Sequence, residues 1–277
     1  MRTLTKTDEE MMVSTLVTSD IDSTGVALVT LNRPEKLNTM TGDLLEQAHK
    51  VFSALAENPA VKVVILTGAG RGFCAGGDLA EGPGGAVTGS LRGASAAARL
   101  RGYMETAELL HSMSAVTISA INGACAGAGL SWACATDLRF AADRARFNAA
   151  FRGAGLSGDF GGTWTLPRII GIGRAREKYL LSEPFDAQEA LRIGLVSKVW
   201  PAEQLLERVR AVAEDLAASA PVALRLMKQN LVESEYVGFE RALDNEAVRH
   251  SRCAETQDAA EAARAFLEKR PAVFVGE

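Results

Sequence analysis

One pattern occurs twice in this chain and narrows what it can fold into. An apolar, β-branched run stops in a cluster of glycines and opens into helix-forming residues. In the first copy, Val61–Leu66 follows Pro59 and reads as a buried strand, broken by Gly68, Gly70, Gly72, Gly76 and Gly77. Asp78 is then placed to cap a helix beginning near Leu79. In the second copy, Val116–Ile121 runs into Asn122-Gly123 and the AGAGL stretch that ends at Leu130. A strand that ends in glycines where a helix begins leaves backbone N–H groups free. Those donors can hold a phosphate, or a carbonyl oxygen that gains negative charge. Taken singly, each turn is equally well read as tight packing. The recurrence points to a repeated ββα unit in an α/β chain.

The rest of the chain fits that frame. Val13–Val17 and Gly25–Leu31 read as a hairpin with its turn at 20–25, and Asn32-Arg33-Pro34 breaks the second strand. Thr41 is placed to cap a helix whose apolar face is Leu44, Ala48, Val51 and Leu55, ended by Asn58-Pro59. Residues 80–98 are rich in Gly, Ala and Ser, with Pro83, and read as the least ordered interior stretch; a helix follows over roughly 96–112. Asp143–Arg146 is a charged turn, and residues 147–162 are irregular and glycine-rich. Asp186 with Glu189 has capping-box spacing, Gly194 closes that helix, and Leu195–Trp200 reads as a last strand. From Ala202 onward the pattern is helical, interrupted at Pro221, Gly238 and Pro271. The expected organisation is a loose polar tail over 1–12, a core over 13–201 and a helical region over 202–277.

Composition excludes several function classes. A net charge of −4 without a long basic tract argues against nucleic acid or a membrane surface as the main partner. No apolar run approaches the ~20 residues that span a bilayer, and the first twelve residues lack a signal-peptide core. Cys74, Cys125, Cys134 and Cys253 form no CxxC pair, so a reduced, cytoplasmic protein is expected. His49, His111 and His250 lie in no metal-ligand spacing and near no GxSxG elbow. That leaves no case for a metal site or a serine-hydrolase triad.

The motifs themselves carry a resemblance. GFCAGGDL (Gly72–Leu79) resembles the oxyanion-hole motif of the enoyl-CoA hydratase/isomerase (crotonase) superfamily. NRPEKLNTM, INGACAGAGL, FGGTWTLPRIIG and FLEKRPAVF agree with that family in order and spacing, from about Val13 to the C-terminus. The resemblance implies a crotonase-like spiral of ββα units with a helical C-terminal region that supports a homotrimer or a dimer of trimers. It implies an acyl-CoA thioester as substrate and no cofactor beyond the coenzyme A that the substrate carries. The matching residues make the backbone N–H groups of Gly77 and Ala128 the two oxyanion donors. Lys36 and Leu37 would lie near the adenine end of CoA, with Ala75, Gly77 and Leu79 along the pantetheine arm. Phe266 and Lys269 would come from the C-terminal helix, of the same or a neighbouring subunit.

Departures from the family pattern carry the chemistry. Hydratases of the family use two glutamates; the matching positions here are Ser131 and Phe151. Serine is a poor base and phenylalanine has no proton to exchange, so paired-glutamate hydration is not expected. The carboxylate in the right neighbourhood is Asp159, whose position matches the aspartate base of family isomerases acting on dienoyl-CoA and phenylacetyl-CoA derivatives. The other reading of Asp159 is a cap for a helix at Gly161. Ser131 would orient a water or the thioester, or be a small helix residue. The expected function is an isomerase-type acyl-CoA enzyme with Asp159 as acid and base. The alternatives are a hydratase using Asp159 and an ordered water, and a non-catalytic acyl-CoA-binding protein.

Overall fold

The computed structural model describes residues 15–80, 82 and 84–277. The expected tail, Val13 of the first strand and Pro83 lie outside them.

Two strands open the fold, β1 (Val17–Ile21) and β2 (Val26–Leu31), followed by a 3-10 turn at Pro34–Lys36 and α1 (Gly42–Glu57). β1 starts later than the alternation suggested and carries Thr18, Ser19 and Asp20 exposed. It is an edge strand, so its polar residues need no apolar face. The Asp22 carboxylate fixes the turn by accepting from the backbone of Thr24 (2.9 Å) and Val26 (3.1 Å). Thr41 caps α1 as its sequence indicates, its Oγ1 accepting from Leu44 N (3.3 Å).

Three ββα units follow. β3 (Val63–Gly68) and β4 (Gly72–Cys74) lead to the short α2 (Gly85–Thr88) and the long α3 (Gly93–Ser112). β5 (Val116–Ile121) and β6 (Ala124–Ala126) lead to α4 (Ala128–Ala135), and β7 (Leu138–Ala142) and β8 (Arg146–Asn148) to α5 (Gly162–Ile170). In each unit the first strand joins a six-stranded sheet, ordered β1-β2-β3-β5-β7 and closed by β10 (Lys198–Trp200). The second joins a four-stranded sheet, ordered β4-β6-β8 and closed by β9 (Phe185–Asp186). The pairings are parallel except β1 with β2 and β8 with β9. The repeated unit read from the glycine turns is therefore the repeat of the fold. Between β8 and β9 the chain also forms α6 (Ile172–Leu181), and between β9 and β10 α7 (Ala187–Arg192), capped by Asp186 as expected (2.9 Å to Glu189 N).

The six-stranded sheet is covered on both faces. One face packs on α1 and α4 in a core that includes Leu44, Phe52, Leu66 and Trp132. The other packs under α8 (Leu205–Ala217) through Val63, Ile65, Ile118, Val209 and Ala213. Two-sided burial is why Val63–Leu66 of β3 is wholly apolar, and why Thr117 and Ser119 of β5, buried among apolar residues, engage hydrogen-bond partners at Leu110 O (2.9 Å) and Thr136 Oγ1 (3.1 Å). The chain ends in α9 (Pro221–Ser234), α10 (Phe239–Ala254) and α11 (Gln257–Glu268). No described helix is long and apolar enough to cross a membrane.

Candidate active site

The two glycine turns meet. β4 and β6 are parallel neighbours, so the chain leaves both strands at one edge of the smaller sheet. The first turn is pinned to Met40, whose N–H donates to Gly76 O (2.8 Å) and whose carbonyl accepts from Asp78 N (2.9 Å). Gly77, between those two bonds, gives its N–H to no backbone carbonyl among the described residues. Across from it, Ala128 is the first residue of α4, where an N–H has no partner one turn back in its own helix. A Cβ built on Gly76 (φ +98°) would lie 3.7 Å from Ala128 N, which sets the closeness of the two turns. Gly129 makes the approach possible, because any side chain there would run into the backbone and Cβ of Cys74. Two N–H groups with no backbone acceptor among the described residues thus lie on adjacent turns, one at a helix N-terminus where the dipole adds to its pull on negative charge.

Asp78 departs from its expected role. No helix begins at Leu79; Asp78 Oδ1 instead accepts from Ala80 N (2.9 Å) in a local turn, and Oδ2 pairs with Arg33 (2.6 Å). The Ala80 N–H first, and then the Arg33 guanidinium, hold its carboxyl below the ordinary value. The pair ties the first glycine turn to the loop that carries Lys36, and Arg33 also bonds Thr39 (2.9 Å). The helices expected after the turn begin only at Gly85 and Gly93, because the glycines between them take left-handed conformations that interrupt a helix.

Asp159 does not cap α5. The N-cap is Gly161, with no side-chain bond, and Asp159 Oδ1 is buried without a hydrogen-bond partner. Burial alone pushes its carboxyl from 3.8 up to about 7. The Asp159 charge in turn helps raise the Cys74 thiol, although burial is the main cause of that group's rise to about 12. The carboxylate is therefore within electrostatic reach of the strand that leads into Gly77.

The two positions matched to hydratase glutamates are both buried. Phe151, at 6% exposure, points its Cε1 to within 3.9 Å of the Cβ position of Gly127, the residue before Ala128. Ser131, at 1%, lies one turn into α4, its hydroxyl 3.4 Å from Gly127 O. Ala75 N donates to Leu37 O (3.0 Å), joining the 3-10 turn to β4. Lys36 and Leu79 are exposed beside the Gly77 turn. Phe266, at 83% exposure, stands on α11 and Lys269 just after it, in the C-terminal helical region. Tyr179 of α6, which no motif marked, stacks on Phe151 with ring centroids 5.8 Å apart and planes 5° from parallel. Its apolar neighbours in sequence are exposed Leu180 and Leu181, so periodicity gave no sign that it turns inward.

Comparison with known proteins bears on the family and the fold. A family profile described as "Enoyl-CoA hydratase/isomerase" matches residues 22–277. The chain is 35% identical over 256 residues to the crotonyl-CoA hydratase of Syntrophomonas wolfei, covering 91% of this chain and 95% of that protein. It is 34% identical over 259 residues to the 1,2-epoxyphenylacetyl-CoA isomerase of Escherichia coli, covering 91% and 96%. The crystal structure of an enoyl-CoA hydratase from Bacillus anthracis superposes with a TM-score of 0.87 at 32% identity, covering 95% of this chain and all of that one.

Proposed function

Given that this chain belongs to the enoyl-CoA hydratase/isomerase family and processes acyl-CoA thioesters, we propose that it works as an isomerase with Asp159 as its single acid and base. The observation that carries the reading is the Asp159 carboxyl: partly buried, with one oxygen unpartnered and its titration moved by burial to about 7. A group that titrates near neutrality has useful populations of both protonation states there, which a proton shuttle requires.

In a β,γ-unsaturated thioester the Asp159 carboxylate takes a proton from the α-carbon. The electron pair moves onto the carbonyl oxygen as a dienolate, which the Gly77 and Ala128 N–H groups hold. The neutral carboxyl then returns the proton to the γ-carbon, and the double bond comes to rest in conjugation with the thioester. No atom is gained or lost. Ser131 and Phe151 supply neither base nor acid for a water. Lys36, Leu37, Ala75 and Leu79 border the Gly77 turn where CoA would lie. Exposed Phe266 and Lys269 suit a contact with substrate bound to a neighbouring subunit of a homotrimer or dimer of trimers. The free cysteines accord with a reducing, cytoplasmic setting.

Similarity to the Syntrophomonas wolfei hydratase favours a second reading, water addition with Asp159 as the only carboxylate. A panel of crotonyl-CoA, 3-hexenoyl-CoA and ring-containing enoyl thioesters, analysed by product mass, separates the two. Products of unchanged mass with a newly conjugated double bond support isomerisation; products heavier by one water overturn it.

A further inference from the structure

The turn that carries Asp159 is an unusual piece of backbone. Gly158 (φ +126°), Phe160 (φ +46°) and Gly161 (φ +74°) surround it, all in the left-handed region. A bulky residue such as Phe160 stays there only when its surroundings enforce it. One restraint is the Phe160 ring, buried edge-to-face against Trp132 with centroids 6.0 Å apart. The other is Tyr179. Its Cε1 lies 3.7 Å from the Cβ position of Gly158, on one side of Asp159. Its hydroxyl lies beside Gly162, on the other side, together with Ser131 Oγ, so that a Cβ on Gly162 would overlap both oxygens. The Ser131 and Tyr179 hydroxyls thus lie together against Gly162. Ser131 sits three residues after Ala128, on the same helix.

We propose that Tyr179 is a positioning residue: its side chain spans the Asp159 turn from Gly158 to Gly162, and its hydroxyl, packed with that of Ser131 against Gly162, holds that turn to the helix whose first N–H is the proposed oxyanion donor. Base and oxyanion hole then keep a fixed separation while the proton is moved. Ser131, which stands where hydratases carry a glutamate, serves as the anchor of this link. Burial pushes the Tyr179 phenol far above its ordinary value, so it remains a donor at every working pH. The titratable groups that sense the Asp159 charge are Cys74 on β4 and Tyr179 on α6, and both are neutral. Exclusion of water by the tightened turn is thus what raises Asp159, and loosening the turn lowers it.

The inference rests on Asp159 acting as the base, and the test keeps the two apart. Tyr179→Phe retains the ring, its stack on Phe151 and its contact at Gly158, and removes only the O–H. The full-length protein is assayed for 3-hexenoyl-CoA isomerisation across pH, and the Asp159 carboxyl is followed by carbon-13 NMR, which needs no substrate. The expected result is a fall in kcat of about tenfold with KM changed by less than about twofold, since misplacement of a reacting group acts on the chemical step. The NMR midpoint and the acid limb of the rate profile move from about 7 toward 3.8. Ser131→Ala gives the same changes, and the double variant adds little to either. An unmoved midpoint, whether kcat falls or not, reduces Tyr179 to packing and overturns the inference, as does additivity of the two variants. If Tyr179→Phe fails to fold, Ser131→Ala removes the same hydroxyl contact from the other end and is read alone by the same criteria. If Asp159→Asn keeps full turnover, the base assignment falls and this inference with it. If Asp159→Asn is inactive while Tyr179→Phe matches the unmodified protein, only the positioning role falls.

Discussion

Replacing Asp159 by Asn is expected to raise stability and abolish activity together, and the two effects have one origin. A carboxyl that titrates at 3.8 when unfolded and at about 7 in the fold binds more protons in the native state between those values. Below 3.8 both states are protonated and the group contributes nothing. As pH rises from 3.8 to 7 the unfolded chain ionises first, and stability falls by ~1.36 kcal/mol for each pH step. Above 7 the full penalty is present, ~4 kcal/mol as an upper figure, because the side chain retains some exposure to water. Asn has the same shape and never ionises, so it removes this penalty at pH 8 and has none to remove at pH 4. Its amide inherits the unpartnered site of Oδ1, which costs ~1–3 kcal/mol and trims the gain. The expected net is ~1–3 kcal/mol at pH 8, a rise of several degrees in melting temperature for a chain of this size. Turnover of the best thioester should fall ~10²–10⁴-fold. Melting curves of both proteins at pH 4.5 and pH 8, at one protein concentration, check the first part, and steady-state rates the second. An Asn variant with no stability advantage that grows with pH would refute the burial argument. Near-full turnover would refute the assignment of the base.

Three further expectations follow from particular contacts. Gly162→Ala should lower stability by ~1–3 kcal/mol in thermal denaturation, because the added methyl meets Ser131 Oγ and Tyr179 Oη together. Lys228, buried on α9, bonds Asp137 (2.7 Å) and Ala115 O (2.8 Å); Asp137→Ala should therefore cost ~3–5 kcal/mol by stranding the ammonium, whereas Lys228→Met should cost far less, as denaturant titration would measure. Hydration of crotonyl-CoA should stay below the ~1–10³ per second of ordinary enzymes, read from loss of absorbance of the conjugated thioester.

What the sequence conveyed and what it withheld divide along a physical line. The strands β3 and β5, the Thr41 and Asp186 caps and the two separate glycine turns were legible because each depends on residues close together in the chain, whereas the meeting of the turns, set by the pairing of β4 with β6, was expected only from the family resemblance. Asp78 was misread for the same reason: the local pattern of an N-cap was present, but a distant arginine, Arg33, captured the side chain. β1 was displaced because an edge strand carries little apolar signal. Tyr179 was invisible, since its place is set by Phe151 and Gly162 from other elements and by nothing in its own helix. At Asp159 the type and position of the residue pointed to a base. Only the fold excludes the competing reading as a cap, through Gly161 at the N-cap and an oxygen left without a donor.

The loss of the two glutamates and the titration of the remaining aspartate are linked. Further carboxylates beside Asp159 would add like charges whose repulsion depends on their own ionisation, and the group would titrate as part of a coupled set. With a phenyl ring at 151 and a hydroxyl at 131, the groups that sense Asp159 are neutral, and its midpoint is moved by exclusion of water alone. Hydration needs a base to activate water and an acid to protonate the substrate carbon. Moving a double bond needs only one group that can do each in turn, and that group works best when neither protonation state is strongly favoured. An aspartate held near 7 meets that condition, whereas one held near 3.8 would return a proton readily but be too weak a base to take it from the α-carbon. On the proposed isomerase reading, the burial that raises Asp159 is what suits it to move a proton in both directions, and Phe151, which faces Gly127 at one edge and Tyr179 across its face, puts an apolar ring where a hydratase carries a carboxylate.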